Sequence, residues 1–293
     1  MSGRDSWSLR EGDAITAELT AMRLLGGGVA YEAYLAFDEI TYAPVVVKVL
    51  RPEQVQDRAS LSGLRREVAA LAAVNHPGVV RGLRHVTEGD RPHLVLEHVD
   101  GPRLSSLVRR YGPLQPQQYL PLAIDLAAAL HYFRHVGQVH LDVKPSNIIM
   151  GSPARLIDLS VMRPVEAAAR LEHVIGTDAY LSPEQADPGR LGRPGPPSDV
   201  WGLGATLFHA IAGERPYADG DPSAAEVALR HPQVVADVPR LPARTPEEVG
   251  KVVEACLAPH PADRPEPHEV ADLLQPLLER LPRARLTGFG VRR

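Results

Sequence analysis

Residues 140–147 of the chain read HLDVKPSN. Asp142, Lys144 and Asn147 follow Leu141, the first apolar residue of this stretch, at one, three and six positions. This set suits phosphoryl transfer. A carboxylate can take the proton of an attacking hydroxyl, a lysine can neutralise charge on the transferred group, and an amide oxygen is a hard ligand for Mg2+. A polar turn after a buried strand is the plainer interpretation of the stretch taken alone.

A second acidic position follows at a short distance. Asp158 stands eleven residues after Asn147, directly behind the apolar pair Leu156 and Ile157. Taken together, the two positions favour a phosphoryl-transfer site over a polar turn more strongly than either position does alone.

The composition narrows the class of protein. A chain of 293 residues with 44% hydrophobic and 23% charged residues predicts a globular protein with two lobes and a cleft. A net charge of −4 argues against non-specific nucleic-acid binding. A single cysteine, Cys256, excludes an intramolecular disulfide and is predicted to lie in the core.

No apolar stretch approaches the ~20 residues that span a bilayer, and charges interrupt the N-terminus, so we predict a cytoplasmic protein without a membrane span.

The hydrophobic pattern changes at about residue 99. Before it, periodicity predicts four strands and one helix, at Ala21–Leu25, Tyr31–Phe37, Val45–Leu50, Leu61–Val74 (the helix) and His93–Glu97. After it, helices are predicted at Leu104–Tyr111, Leu120–His135, Val200–Ala212, Pro246–Leu257 and His268–Leu281, with loops at Asp187–Pro197 and Pro216–Ser223. We therefore divide the chain into an N-terminal extension (1–16), an N-terminal lobe (17–98), a C-terminal lobe (99–281) and a basic tail (282–293).

These residues resemble the protein kinase family, and most closely its bacterial serine/threonine kinases of the eukaryotic-like, actinobacterial type. The likeness covers roughly residues 17–281. It implies an α+β, bilobal kinase fold, with a small antiparallel β-sheet lobe carrying one helix and a larger, mainly α-helical lobe. It also implies ATP bound between the lobes with Mg2+, or alternatively Mn2+, and transfer of the γ-phosphoryl group to a serine or threonine hydroxyl of a protein substrate.

The N-terminal lobe contains the phosphate-binding motifs of that family. Leu25, Gly26 and Gly28 align with its glycine-rich loop, in which backbone amides approach the phosphates, although a triple glycine alone is typical of a tight turn. Tyr31 replaces the third glycine, which costs about 1–2 kcal/mol if that position needs a positive φ. Lys48 matches the lysine that contacts the phosphates, and Glu67 matches its ion-pair partner. A single lysine at the end of a strand otherwise serves to prevent the sheet edge from pairing with another chain.

The resemblance also assigns an adenine pocket. Its residues are Ala33, Val46, the gatekeeper Leu96, the backbone of Glu97 and Val99, and the floor residues Ile149 and Ile157. Ala33 stands where the family has valine, and Val46 where it has alanine. We expect these two changes to conserve the pocket volume.

In the C-terminal lobe, the resemblance makes Asp142 the catalytic base and Lys144 the transition-state cation. Asn147 and Asp158 become the metal ligands. Lysine two residues after the catalytic aspartate is the serine/threonine form.

Downstream motifs are fold markers of protein kinases. Thr177 is positioned near the catalytic base, Glu184 is expected to pair with Arg264, and Asp199 opens the central helix of the lobe.

Two departures bear on regulation. Leu141 occupies the place where many protein kinases have an arginine that binds a phosphate on the activation segment. Residues 161–176 contain no Ser, Thr or Tyr. The sequence therefore predicts a kinase that is not controlled by phosphorylation of this stretch. In the metal-binding motif, Leu159 and Ser160 replace phenylalanine and glycine, and Leu159 is expected to fill the same apolar slot.

Alternatives remain at this point. Tyr31 and Ser160 leave room for a pseudokinase that binds nucleotide or scaffolds a partner. A small-molecule phosphotransferase of related fold is a third alternative, but it should lack the motifs at Thr177, Glu184 and Asp199. A regulatory partner or a homodimer is left open.

Overall fold

The computed structural model describes residues 6–282, so most of the predicted basic tail lies outside the described residues. The first part of the chain contains β1 (Leu19–Gly27), β2 (Tyr31–Asp38), β3 (Ala43–Leu50), α1 (Arg58–Ala73), β4 (Gly82–Val86) and β5 (His93–Glu97). The second part contains α2 (Leu104–Tyr111), α3 (Pro116–His135), β6 (Gln138–Val139), β7 (Ile148–Ile149), β8 (Arg155–Leu156), β9 (Arg163–Pro164), α4 (Val165–Ala168), α5 (Pro183–Ala186), α6 (Pro196–Ala212), α7 (Val227–Arg230), α8 (Glu247–Cys256) and α9 (Pro267–Arg280). The predicted α+β fold, with a sheet lobe and a mainly helical lobe, is confirmed.

The N-terminal lobe is built on a five-stranded antiparallel sheet in the order β1-β2-β3-β5-β4. Along β2, half-buried and fully buried positions alternate, as expected of a strand whose two faces have different neighbours. The outer face of the sheet carries a cluster that includes Tyr34, Ala36 and Val47, and Trp7 and Leu9 of the N-terminal extension pack against it. The described part of that extension therefore covers the outer face.

Helix α1 begins three residues before its predicted start. The Asp57 side chain accepts a hydrogen bond from the backbone N–H of Ser60 at 2.7 Å, and this cap fixes the first turn upstream of the apolar positions. Leu64, Glu67 and Leu71 lie on the buried face of the helix. The helix thus places an acidic side chain among apolar ones.

The C-terminal lobe has its core around α3 and α6. Both helices begin about one turn earlier than predicted, with a proline in the first turn, where its missing N–H leaves no intrahelical hydrogen bond unmade. Cys256 is fully buried in the same core, as predicted. Within residues 6–282, no helix combines the length and the apolar character that crossing a membrane requires.

Candidate active site

A lysine from the sheet, a glutamate from α1 and an aspartate from the C-terminal lobe meet between the two lobes, where the cleft is predicted. The Lys48 Nζ atom lies 2.6 and 2.9 Å from the two carboxylate oxygens of Glu67 and 3.0 Å from Oδ1 of Asp158. Asp158 is 110 residues away from Lys48 in sequence. The fold therefore brings predicted residues of both lobes into one charged cluster.

Lys48 and Asp158 stabilise each other in their charged forms. Burial alone would lower the pKa of Lys48, but the carboxylates of Glu67 and Asp158 outweigh it and raise that pKa. Burial would likewise raise the pKa of Asp158, yet Lys48 holds it well below its usual range, with a further contribution from the Ser160 hydroxyl. Lys48 is therefore a cation and Asp158 an anion at neutral pH.

The predicted base, Asp142, is held by three side chains. Its Oδ1 accepts a hydrogen bond from the Thr177 hydroxyl at 2.7 Å. Its Oδ2 accepts from Lys144 Nζ at 2.7 Å and from Asn147 Nδ2 at 2.9 Å. Lys144 also hydrogen-bonds to the Thr177 hydroxyl. Rotation of the Asp142 carboxylate is thus restricted, as a positioned proton acceptor requires.

The residues predicted to bind a divalent cation fit that role. The Asn147 amide nitrogen donates to both the backbone and the side chain of Asp142, so its carbonyl oxygen is the end left for a cation. Asp158 supplies a carboxylate that is 39% exposed. Among residues 6–282 no group of three or more His, Cys, Asp or Glu side chains could enclose a metal ion. Two oxygen ligands from the protein suit Mg2+, whose other ligands are commonly phosphate oxygens and water.

The predicted adenine-pocket residues lie on neighbouring elements. Ala33 pairs with Lys48, and Val46 pairs with Leu96, in the strand register. Leu96 and Ile149 are buried, and Leu25, Gly26 and Gly28 lie on or directly after β1, while Glu97 ends β5 and Ile157 follows β8. Within residues 6–282 the backbone N–H of Val99 has no hydrogen-bond partner, which suits a donor to a ligand. The volume compensation between Ala33 and Val46 stays a prediction.

Tyr31, in the third glycine position, is not strained. It lies outside the set of residues with positive φ, so the conditional cost of 1–2 kcal/mol does not arise. Its ring centroid is 5.0 Å from Lys48 Nζ, a cation–π contact. Burial, with a contribution from Glu67, raises the pKa of Tyr31 to about 12, so the hydroxyl is neutral at physiological pH.

Leu141 belongs to a small apolar cluster. Its side chain is buried with Val139 and Ala168. Residues 161–175, predicted to belong to the activation segment, pack around them through Val161, Val165, Leu171 and Ile175. Its backbone has a positive φ of 64°, and its N–H donates to Asp199 Oδ1 at 2.7 Å. Gly176 passes so close that a Cβ there would lie 2.7 Å from the Leu141 carbonyl oxygen. Apolar contacts thus connect residues 161–175 to the catalytic loop, as we call residues 140–147 with the predicted base Asp142.

The expected pair of Glu184 and Arg264 is present and fully buried. Two nitrogens of Arg264 donate to the two Glu184 oxygens at 2.7 and 2.9 Å. Ser198 donates to Glu184 at 2.7 Å, and the Arg264 guanidinium lies 5.0 Å from the Trp201 ring centroid. The pair joins α5 to α6 and to the turn before α9.

Comparison with known proteins decides the family. The sequence matches the protein kinase domain family over residues 19–289. The chain belongs to the protein kinase family. It is 33% identical over 252 residues to the serine/threonine-protein kinase PknB of Mycobacterium leprae, which covers 83% of this chain and 39% of that protein. It is also 33% identical to PkaA of Streptomyces coelicolor and to PknA of Mycobacterium tuberculosis, over 80% and 88% of this chain and 43% and 60% of those proteins. The chain therefore spans about two fifths of the length of the first of these kinases.

Two glutamines of this kinase domain were missed by sequence reasoning. Gln185 Nε2 donates to the carbonyls of Leu141 and Ile175 at 2.9 and 3.0 Å, so it ties the catalytic loop to the activation segment. Gln233 Nε2 donates to the carbonyls of Asp178 and Leu181 at 2.9 and 3.2 Å. Both bind backbone, which leaves no residue-type signature in the sequence. Proximity to Glu184 was the one available signal, and it applied to Gln185 alone.

Proposed function

We propose that this chain is an ATP-dependent serine/threonine protein kinase domain, with lobes at 17–98 and 99–281. The observation that carries the proposal is the contact of Lys48 with both Glu67 and Asp158, which joins the two lobes around one charged cleft. Because ATP is the phosphoryl donor, the proposal places the domain in the cytoplasm. Lys144 favours serine and threonine as acceptors, in line with the names of the relatives.

The reaction uses the residues around Asp142. The hydroxyl oxygen of the protein substrate attacks the γ-phosphorus, the bond from that phosphorus to the bridging oxygen breaks, and ADP leaves. Asp142 takes the hydroxyl proton, and Lys144, 2.7 Å from Asp142, stabilises negative charge on the transferred group. Lys48 binds the phosphates of ATP and is oriented by Glu67.

A divalent cation completes the site. Asn147 and Asp158 would hold it, and when bound it supplies neutralisation of phosphate charge. The low pKa of Asp158 keeps this ligand ionised at neutral pH.

The decisive experiment measures transfer from labelled ATP to a generic basic protein with Mg2+ present. We expect incorporation by the native chain on serine or threonine. Asp142→Asn should reduce the rate by roughly 10²–10⁴-fold, because the variant lacks a proton acceptor but keeps the side-chain volume. Asp219→Asn, at an exposed position in the C-terminal lobe, is the matched control and should leave the rate unchanged. Equal rates for the native chain and Asp142→Asn would contradict the proposal.

We further propose that activity does not depend on phosphorylation of the activation segment. The Leu141 cluster supports this, since it connects residues 161–175 to the catalytic loop by apolar burial instead of an arginine–phosphate contact. Phosphatase treatment of the purified chain should leave the rate within about twofold of the untreated value, a change worth less than ~0.5 kcal/mol in the barrier. A tenfold loss that ATP preincubation restores would refute this part.

A nucleotide-binding pseudokinase is the second candidate, and Tyr31 is the observation in its favour. Its ring contacts Lys48, the residue that is proposed to bind the phosphates. The same assay separates the two candidates, since a pseudokinase would show ATP-dependent thermal stabilisation without incorporation. The buried pair of Glu184 and Arg264 and the Thr177 contact with Asp142 count against a small-molecule phosphotransferase.

A further inference from the structure

A buried carboxylate outside the cleft links the N-terminal extension to the sheet. Glu32, in β2, lies on the outer face of the sheet and is 2% exposed. Its Oε1 accepts from an Arg51 nitrogen at 2.9 Å, and its Oε2 accepts from the Tyr34 hydroxyl at 2.8 Å and from the backbone N–H of Trp7 at 3.2 Å. A buried charge with this many donors is a structural junction, and three separate stretches of chain meet there.

Arg51 extends this junction to the glycine-rich loop. Its Nε donates to the Gly28 carbonyl at 3.0 Å, and its backbone N–H donates to the Ala30 carbonyl at 2.9 Å. A Cβ on Gly27 would lie 3.2 Å from one of its guanidinium nitrogens. The guanidinium fork therefore holds the loop backbone and Glu32 at the same time, a geometry that a lysine cannot reproduce.

The N-terminal extension is fixed to the lobe at both ends of residues 7–15. The Trp7 indole N–H donates to the Leu50 carbonyl at 2.7 Å, next to Arg51 in sequence. The Arg91 guanidinium lies 4.5 Å from the centroid of the Trp7 ring and donates to the carbonyls of Ala14 and Ile15 at 2.8 and 3.0 Å. We call residues 7–15 the N-terminal strap.

We infer that the N-terminal strap positions the glycine-rich loop for the phosphates of ATP, through Trp7, Glu32, Arg51 and Gly28. This inference rests on the proposed function. A glycine-rich loop has many backbone conformations, and a ligand that must order it binds more weakly. With the loop carbonyl held by Arg51 and Arg51 held by Glu32 beneath the strap, that ordering is already present before ATP binds. Glu32 and Arg51 are thus positioning residues, without contact to the reacting atoms.

The test compares the affinities of the full chain for ATP with Mg2+ and for adenosine, which lacks phosphates. In Arg51→Gln we expect a roughly tenfold weaker affinity for ATP, the size of one charged hydrogen bond, and an unchanged affinity for adenosine. Arg51→Lys should behave like Arg51→Gln, and Trp7→Ala should show the same selectivity with a smaller loss. Arg84→Gln, which removes the cation paired with the buried Asp38 carboxylate in the same lobe, is the matched control and should leave the ratio of the two affinities unchanged.

The outcomes are distinguishable. Equal losses of ATP and adenosine affinity in Arg51→Gln, or a ratio that Arg84→Gln changes to the same extent, would overturn this inference while leaving the proposed function in place. If Arg51→Gln does not fold, a wild-type affinity ratio in Trp7→Ala would overturn it as well. Failure of the native chain to bind ATP would overturn the proposed function itself.

Discussion

An ion pair between a cation and a glutamate lies in each lobe: Lys48 with Glu67 in the N-terminal lobe, and Arg264 with Glu184 in the C-terminal lobe. The distances are nearly the same in both pairs, 2.6 to 2.9 Å. Their surroundings differ. Both side chains of the second pair are 0% exposed, whereas Lys48 is 13% exposed and its further partner Asp158 is 39% exposed. One pair faces a cleft, and the other is enclosed.

The remaining partners explain this difference. Arg264 also donates hydrogen bonds to the backbone carbonyls of Ala258, Pro197 and Pro259, at 2.9 to 3.1 Å. Such a guanidinium has its hydrogen-bonding capacity taken up by the fold. Lys48 instead contacts Asp158, a carboxylate that is available to a cation. A charge pair whose remaining hydrogen-bond partners are backbone carbonyls has a structural role. A charge pair that contacts a partly exposed charge can also bind a ligand.

The largest expected effect is on the enclosed pair. Arg264→Ala should lower the free energy of unfolding by about 3–5 kcal/mol, because it leaves the Glu184 carboxylate buried without its cation. Urea unfolding followed by circular dichroism measures this loss. Arg215→Ala is the matched control, since Arg215 makes a surface pair with Asp219 and its loss should cost at most about 1 kcal/mol. Similar stabilities of Arg264→Ala and Arg215→Ala would show that the enclosed pair contributes no more to stability than a surface pair.

The pair at the cleft should lose activity with less loss of stability. Lys48→Met should lower turnover by roughly 10²–10³-fold, the cost of one preorganised charge at a reacting phosphate. Glu67 then remains without its cation, but burial raises its pKa, so protonation can relieve the charge. Turnover and thermal melting measure both quantities, with Lys251→Met of the exposed pair with Glu247 as control. A variant with native turnover, or one that unfolds as readily as Arg264→Ala, would contradict this prediction.

The sequence predicted the polar residues of the cleft because most of them fall in two short segments whose spacing survives folding. Asp142, Lys144 and Asn147 lie within one loop, and their contacts follow from that proximity. Long-range contacts were accessible only through the family resemblance, as with Glu184 and Arg264, which are 80 residues apart.

Other features could not be predicted for physical reasons. Strand β4 reads GLRHV, is mostly exposed and lies at the sheet edge, so it lacks the apolar alternation that marks a strand. Glu32 was missed because an acidic residue in a strand is expected on the solvent face. In the structure, Glu32 lies on the same buried face of β2 as Tyr34. The Leu141 cluster depends on how residues 161–175 fold back, which pattern alone does not specify.

The pair of the half-buried Arg84 and the buried Asp38 in the N-terminal lobe should give a smaller effect, which depends on pH. Asp38 is 0% exposed, and the guanidinium of Arg84 donates to its two oxygens at 2.5 and 2.7 Å. These bonds, with those from Thr41 and Ile40, hold the pKa of Asp38 well below its usual range.

Since the folded-state pKa of Asp38 lies below the unfolded value of about 3.9, the stabilisation is present above that pH and is lost as the pH falls through the lower, folded value. Asp38→Asn cannot ionise, so its urea midpoint should fall less than the native midpoint between about pH 5 and pH 3, and the difference isolates Asp38 from the other carboxylates. Parallel falls would mean that Arg84 contributes packing to this lobe and no charge stabilisation.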